Sequence, residues 1–334
     1  MKISTWAAAT VAAAMLLGAP VAAAAEDAVA RGDYLVNSIM GCGNCHTPQG
    51  PGGPDMARYL AGGMAMEEPA LGRIHVPNIT QDRETGIGGW SDAEIATAIR
   101  DGLRPDGSLI GPPMPGPLYR GISDADLAAI VAYLRTVPPV ANAVPKSVYA
   151  IPPPPAYGPP VTTVAEVPRD DILAYGAYLA GPLGHCVECH TPMGAAGHPD
   201  FQGRLGAGGR EFHGPWGTSV SANITPAGAV GDYDGAGLKA AITTGMRPDG
   251  SRMMPPMGYG YYARMTGDDL DALVAWIRSL PPRAAIIIVI PPITAPADMQ
   301  PTPAPPNMPI LPPRGKGTRR SHRWSSRHSP STPS

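Results

Sequence analysis

The sequence predicts an all-α protein of two tandem domains with long Gly/Pro-rich loops. Three observations lead there: an internal duplication, capped amphipathic helical segments in each copy, and one Cys-x-x-Cys-His pentapeptide in each copy. Tyr34 and Cys42 recur as Tyr178 and Cys186, an offset of 144, and Asn78-Ile79-Thr80 recurs as Asn223-Ile224-Thr225, an offset of 145. Arg104-Pro105-Asp106-Gly107-Ser108 recurs as Arg247-Pro248-Asp249-Gly250-Ser251, an offset of 143, and no gap is needed from there to the end of each copy. An offset this constant describes one unit of about 110 residues present twice. The boundaries that follow are 1–25 for a leader, 26–140 for the first domain, 141–168 for a linker, 169–283 for the second domain and 284–334 for a tail.

Taken in order, the leader has Lys2, an apolar stretch from Trp6 to Leu17, and Ala23-Ala24-Ala25 before Glu26, the pattern of a secretory signal with its cleavage site. A membrane anchor needs ~20 apolar residues and is the weaker reading. A helix over 29–38 turns Tyr34 and Leu35 inward. Ser91-x-x-Glu94 is a capping box, and Gly102 closes the helix it opens. Asp234 and Gly245 bracket the matching helix of the second copy. The last helix of the first copy opens at Ser123, with Asp126 at its third position, and stops before Pro138. Its apolar stripe of Leu127, Ile130, Val131 and Leu134 returns as Leu270, Leu273, Val274 and Ile277. The segment from Val137 to Pro168 is rich in proline, which favours extended polyproline conformation and makes either a stiff spacer or a passive tether. Beyond Pro282 the repeat ends. Ala284 to Ile290 is apolar but too short to cross a bilayer, and the proline-rich, then basic, remainder cannot build a core.

The two pentapeptides are Cys42-Gly43-Asn44-Cys45-His46 and Cys186-Val187-Glu188-Cys189-His190. Two thiols three positions apart can add to the two vinyl groups of one haem, and the following His then offers its imidazole to the iron. Together they use all 4 cysteines, leaving none for a disulfide. Neither dithiol is followed by the His pair at short spacing that a Cys2His2 zinc site wants. The expected cofactor is two covalently bound haem c groups, one on Cys42, Cys45 and His46, the other on Cys186, Cys189 and His190. Buried haems also answer a compositional puzzle. Gly 41 and Pro 43 make about a quarter of the chain and there are only 2 Phe, so the aromatic core is thin.

The opposite axial position takes Met in electron-carrying cytochromes. Met114 and Met257 are the candidates, because they occupy equivalent positions and each follows a Pro-Pro pair. The chain has 15 Met, most of which fill space. Met253 and Met254 compete in the second copy but align with Ile110 and Gly111, which cannot ligate, and Met64 and Met66 have no aligned Met. His75, His185, His198 and His213 read as surface or propionate-contact residues, and Asn78 and Asn223 as loop caps. Arg104 and Arg247 suit propionates or nothing beyond their turns.

Net charge is −2, and residues 291–334 hold six Arg or Lys against one Asp, so the body is acidic. That argues against nucleic acid as a partner and fits docking to a basic patch. The basic tail is a candidate for peripheral contact with anionic lipid.

The run Cys-x-x-Cys-His-Thr-Pro at 42–48, Pro-Asn-Ile-Thr at 77–80, Thr-Gly-Ile-Gly-Gly-Trp-Ser-Asp-x-Glu-Ile at 85–95, Met-Pro at 114–115 and Ser-Asp-x-Asp-Leu-x-Ala-Ile-x-Ala-Tyr-Leu-Arg at 123–135 resembles the multihaem cytochrome c subunits of bacterial periplasmic dehydrogenases for alcohol, gluconate or aldehyde. The resemblance covers about residues 28–283. The second copy departs where Met257 is followed by Gly258 and Tyr233 replaces Trp90. The resemblance implies two tandem cytochrome c-like domains and electron transfer from a partner dehydrogenase to a quinone or downstream cytochrome. It implies a carrier in the periplasm, exported by its signal, and not an enzyme. The alternative is a dihaem enzyme of peroxidase or sulfur-compound dehydrogenase type with one open haem, against which the paired Met positions speak.

Overall fold

A computed structural model describes residues 27–284, apart from 51, 69, 70, 196 and 215. The expected leader and all but the first residue of the expected tail lie outside the described residues. The first unit opens with α1 over 27–37, then α2 (Gly43–His46), α3 (Asp92–Arg100), α4 (Gly116–Tyr119) and α5 (Asp124–Leu134). The second repeats the series as α6 (Ile172–Tyr178), α7 (Cys186–Cys189), α8 (Gly235–Thr244), α9 (Tyr259–Tyr262) and α10 (Gly267–Ser279). The caps stand where the sequence puts them. The Ser91 hydroxyl accepts from the Glu94 amide while the Glu94 carboxylate accepts from the Ser91 amide, and Asp234 and Gly245 close the two ends of α8. Ser123 caps α5, and both apolar stripes are buried.

The all-α expectation is met only in part, since Ile74 of a strand and Leu60, Val76 and Ile224 of the loops join the helices in the core. Among the described residues three small antiparallel sheets close within the loops: β1 (Gln49–Gly50) with β2 (Gly53–Pro54), β3 (Ala65–Glu68) with β4 (Gly72–His75) and β5 (Val148–Tyr149), and β6 (Glu211–Gly214) with β7 (Gly217–Val220). Strands of two to four residues are too short to leave a period-2 signal in the sequence.

First and last helices cross closely in each unit. A Cβ on Gly32 would lie 2.0 Å from the Ala129 carbonyl oxygen, and one on Gly176 would lie 2.2 Å from that of Ala272. These glycines let α1 seat on α5 and α6 on α10.

The proline-rich segment does not hold the units apart. It runs along the first unit. β5 extends the β3–β4 hairpin, the Gly111 amide donates to the Tyr149 hydroxyl at 3.0 Å, and the Tyr157 hydroxyl donates to the Ile110 carbonyl at 2.8 Å. The units instead pack directly, and buried side chains from both form one apolar cluster. Equivalent hydrogen bonds cross between them. The Tyr34 hydroxyl donates to Asp269 at 2.6 Å, and the Tyr178 hydroxyl donates to Asp126 at 2.8 Å. Each unit's first helix thus holds the buried aspartate at the N-terminus of the other unit's last helix. This reciprocity is what an isologous contact between two copies produces.

Candidate haem-binding site

Each pentapeptide winds into one helical turn, with Cys42 capping α2 and Cys186 opening α7. The His46 amide donates to the Cys42 carbonyl at 2.9 Å and the His190 amide to the Cys186 carbonyl at 3.0 Å. That turn sets the two thiols of each motif on one helix face. All four cysteines are free. Burial pushes the Cys42 and Cys186 thiols up to about 12 and that of Cys189 up to about 11. They are neutral, desolvated thiols, unlike the electropositive low-pKa thiolate of a redox dithiol. Among the described residues, no three His, Cys, Asp or Glu side chains converge as a metal cluster.

The histidines are aimed by backbone. His46 Nδ1 lies 2.9 Å from the Pro77 carbonyl and His190 Nδ1 lies 2.7 Å from the Ala222 carbonyl. A carbonyl only accepts, so Nδ1 carries the proton and Nε2 keeps a free lone pair. Burial holds both imidazoles below their ordinary range, which keeps that lone pair available. A glycine ties each histidine's own backbone beside the segment that carries its acceptor. The Gly62 amide donates to the His46 carbonyl at 2.6 Å and the Gly208 amide to that of His190 at 2.7 Å. Gly62 and Gly208 have φ of +72 and +68, and a Cβ on either would sit 2.4 Å from the carbonyl carbon of Pro77 or Ala222.

Cys45 and Cys189 open onto one cavity of about 3770 Å³. Met114 and Met257 line it too, each after a cis Pro-Pro peptide. Met64, Met66, Met253 and Met254 reach the same walls. His198 and His213 lie at its edge, whereas Arg104 and Arg247 bond back to their own turns at Leu109 and Arg252. Asn78 and Asn223 are loop ties, donating at 2.7 Å to the Val140 and Arg283 carbonyls.

Sequence reasoning misses the residues between the motifs. Tyr261 of the second unit packs on Gly41 and Gly43 of the first unit's motif. Tyr119 of the first unit meets His185 of the second edge-on, with ring centroids 6.3 Å apart. Cys45 and Cys189 both line the cavity, alongside Tyr261. Burial pushes the Glu188 carboxyl up to about 7 while Arg210 pulls it back. The Trp216 indole N–H is buried on the cavity wall and finds no acceptor among the described residues. The duplication itself could have drawn attention to Glu188, which stands where the first copy has Asn44.

The cytochrome c family model matches residues 29–138 and 173–281, once per unit. The chain belongs to the cytochrome c family. It is similar to the fructose dehydrogenase cytochrome subunit of Gluconobacter japonicus, 29% identical over 279 residues, which are 79% of this chain and 54% of that protein. It is 37% identical over 182 residues to the gluconate 2-dehydrogenase cytochrome c subunit of Pantoea cypripedii, covering 50% of this chain and 39% of that one. A diheme cytochrome c-type protein of Cereibacter sphaeroides is 30% identical over 255 residues, 72% of this chain and 82% of that protein. The chain therefore spans about half the length of the fructose dehydrogenase subunit and most of the dihaem protein. Covalently bound haem c is the cofactor of the cytochrome c family. The residues present fit it: free thiols paired on one turn, an imidazole with its outer nitrogen bare, thioethers on the shared wall and an orphaned indole N–H.

Proposed function

We propose that this cytochrome c is an exported dihaem electron carrier that takes electrons from a partner dehydrogenase and passes them to a quinone or downstream cytochrome. One observation carries the reading: Cys45 with Met114, and Cys189 with Met257, matching positions of the two copies, line one cavity. Cys42 and Cys45 would hold one haem by thioethers, with His46 offering its imidazole to the iron; Cys186, Cys189 and His190 would hold the other. Met114 and Met257 would each offer a thioether as the remaining ligand. The bound haem supplies a one-electron ferric/ferrous couple. With a His and a Met offered to each iron, this chain's residues would leave no coordination site for substrate. Kinship with the cytochrome subunits of fructose, gluconate and alcohol dehydrogenases supports a dehydrogenase partner. Among the described residues no helix is long and apolar enough to cross a membrane. The test is a pyridine haemochrome count with intact mass, followed by stopped-flow mixing with a reduced dehydrogenase. Two acid-stable haems, prompt reduction and no turnover of alcohol, aldehyde or peroxide by the purified protein are expected. Intrinsic turnover with cyanide binding to one ferric haem would overturn the carrier reading.

A further inference from the structure

The two units are copies, so a cavity-lining position at which they differ is where two otherwise similar haems can be made unlike. Backbone bonds set the correspondence. The Val76 amide donates to the Met64 carbonyl at 2.9 Å, and the Ser221 amide donates to the Arg210 carbonyl at 2.8 Å. The preceding glycines match as well, since Gly63 bonds Val76 and Gly209 bonds Ser221. Arg210 therefore stands in the second unit where Met64 stands in the first, and both line the cavity.

Arg210 is held in place. Its Nη1 donates to the Glu188 carbonyl at 2.5 Å, its guanidinium lies 5.5 Å from the Phe212 ring centroid, and its amide donates to the Ser221 hydroxyl at 2.9 Å. Glu188 lies inside the Cys-x-x-Cys turn, so the guanidinium is anchored on the attachment motif and lies within electrostatic reach of Cys189. Its charge is permanent. Met64 carries none. At an effective dielectric of about 20, a unit charge within about 10 Å of the haem is worth roughly tenfold in an equilibrium constant. Reduction adds an electron to the haem, so the charge favours the ferrous state.

We propose that Arg210 raises the reduction potential of the second haem, and that the Met64/Arg210 difference distinguishes the two haems energetically. This rests on the dihaem reading above. The test is an optical redox titration of the full holoprotein at one pH and ionic strength, with Glu188 retained throughout. In Arg210→Met, one wave moves down so that its ferrous-to-ferric ratio at fixed potential falls about tenfold, or about 59 mV for one electron, while the other wave stays. Arg210→Lys keeps the charge and restores most of the shift. Met64→Arg moves the other wave up. Two haems with unmoved waves in Arg210→Met, or an Arg210→Lys as low as Arg210→Met, would overturn this assignment alone, the latter by showing that packing sets the potential. A haem count below two would overturn the dihaem reading and this inference with it.

Discussion

Met114 is one residue of 15 of its kind, and its chemistry depends on where its loop is held. The loop is tied down by the Gly111 amide on Tyr149 and the Ile110 carbonyl on Tyr157, both from the proline-rich segment. Met114→Ala leaves those ties and both thioethers in place while removing the sulfur. The expected outcome is a high-spin signal at one of the two haems, with a lower potential there, because the ligand favouring the ferrous iron is gone. Optical and resonance spectra of the variant check it, and two unchanged low-spin signals would reassign the ligand. Met257→Ala is the matching experiment in the second unit, where an unchanged spectrum would point to Met253 or Met254.

At the scale of elements, the crossing of α6 on α10 depends on a glycine. In an exposed helix interior, replacing Gly with Ala stabilises by about 1 kcal/mol. At Gly176 the sign reverses, because the new methyl would sit 2.2 Å from the Ala272 carbonyl oxygen and 2.6 Å from the Trp276 Cβ. Gly176→Ala is expected to destabilise by about 1–3 kcal/mol or more, as overpacking of a tight core does. Thermal denaturation of the holoprotein measures it, and a raised Tm would refute the close crossing. The crossed tyrosines give a second prediction. Tyr34→Phe and Tyr178→Phe each leave a buried aspartate short of one donor, at about 1–3 kcal/mol apiece. Asp269 keeps Tyr175 at 3.1 Å and Asp126 keeps Arg31 at 2.8 Å, so each single variant still folds. Looser docking of the units should appear as faster amide exchange in α5 and α10; unchanged exchange in the double variant would show that apolar packing alone joins them.

For the whole molecule, the net charge is −2 with basic residues concentrated in 291–334, so the haem-bearing body is acidic. A basic partner is steered toward it, and that steering is screened beyond ~10 Å at 0.1 M salt. Haem reduction by such a partner should slow as salt rises, in a stopped-flow series at fixed pH. A rate independent of salt would exclude electrostatic steering.

Much of this protein is local, and local features were legible. The thiol spacing, the following histidine, the caps at Ser91, Ser123 and Asp234 and the stripes of α5 and α10 depend on residues within a few positions of one another. Covalent and hydrogen-bond geometry alone ties such residues to a role. The duplication extended each reading to its twin, so Met257 is proposed alongside Met114. What only the tertiary structure decided lies between segments far apart in the chain. The Pro77 and Ala222 carbonyls that aim the histidines are ordinary backbone groups, invisible until folding brings them to an Nδ1. Gly62 and Gly176 looked like any of 41 glycines, because a forbidden Cβ is defined by the chain that passes beside it. The proline-rich run had the composition of a spacer, but Tyr149 and Tyr157 give it apolar area and hydroxyls that bind it to the first unit. Asp126 and Asp269 read as helix-start residues, and the tyrosines that hold them come from the other copy. Packing of one unit on another is a long-range property, and no local pattern in the chain encodes it.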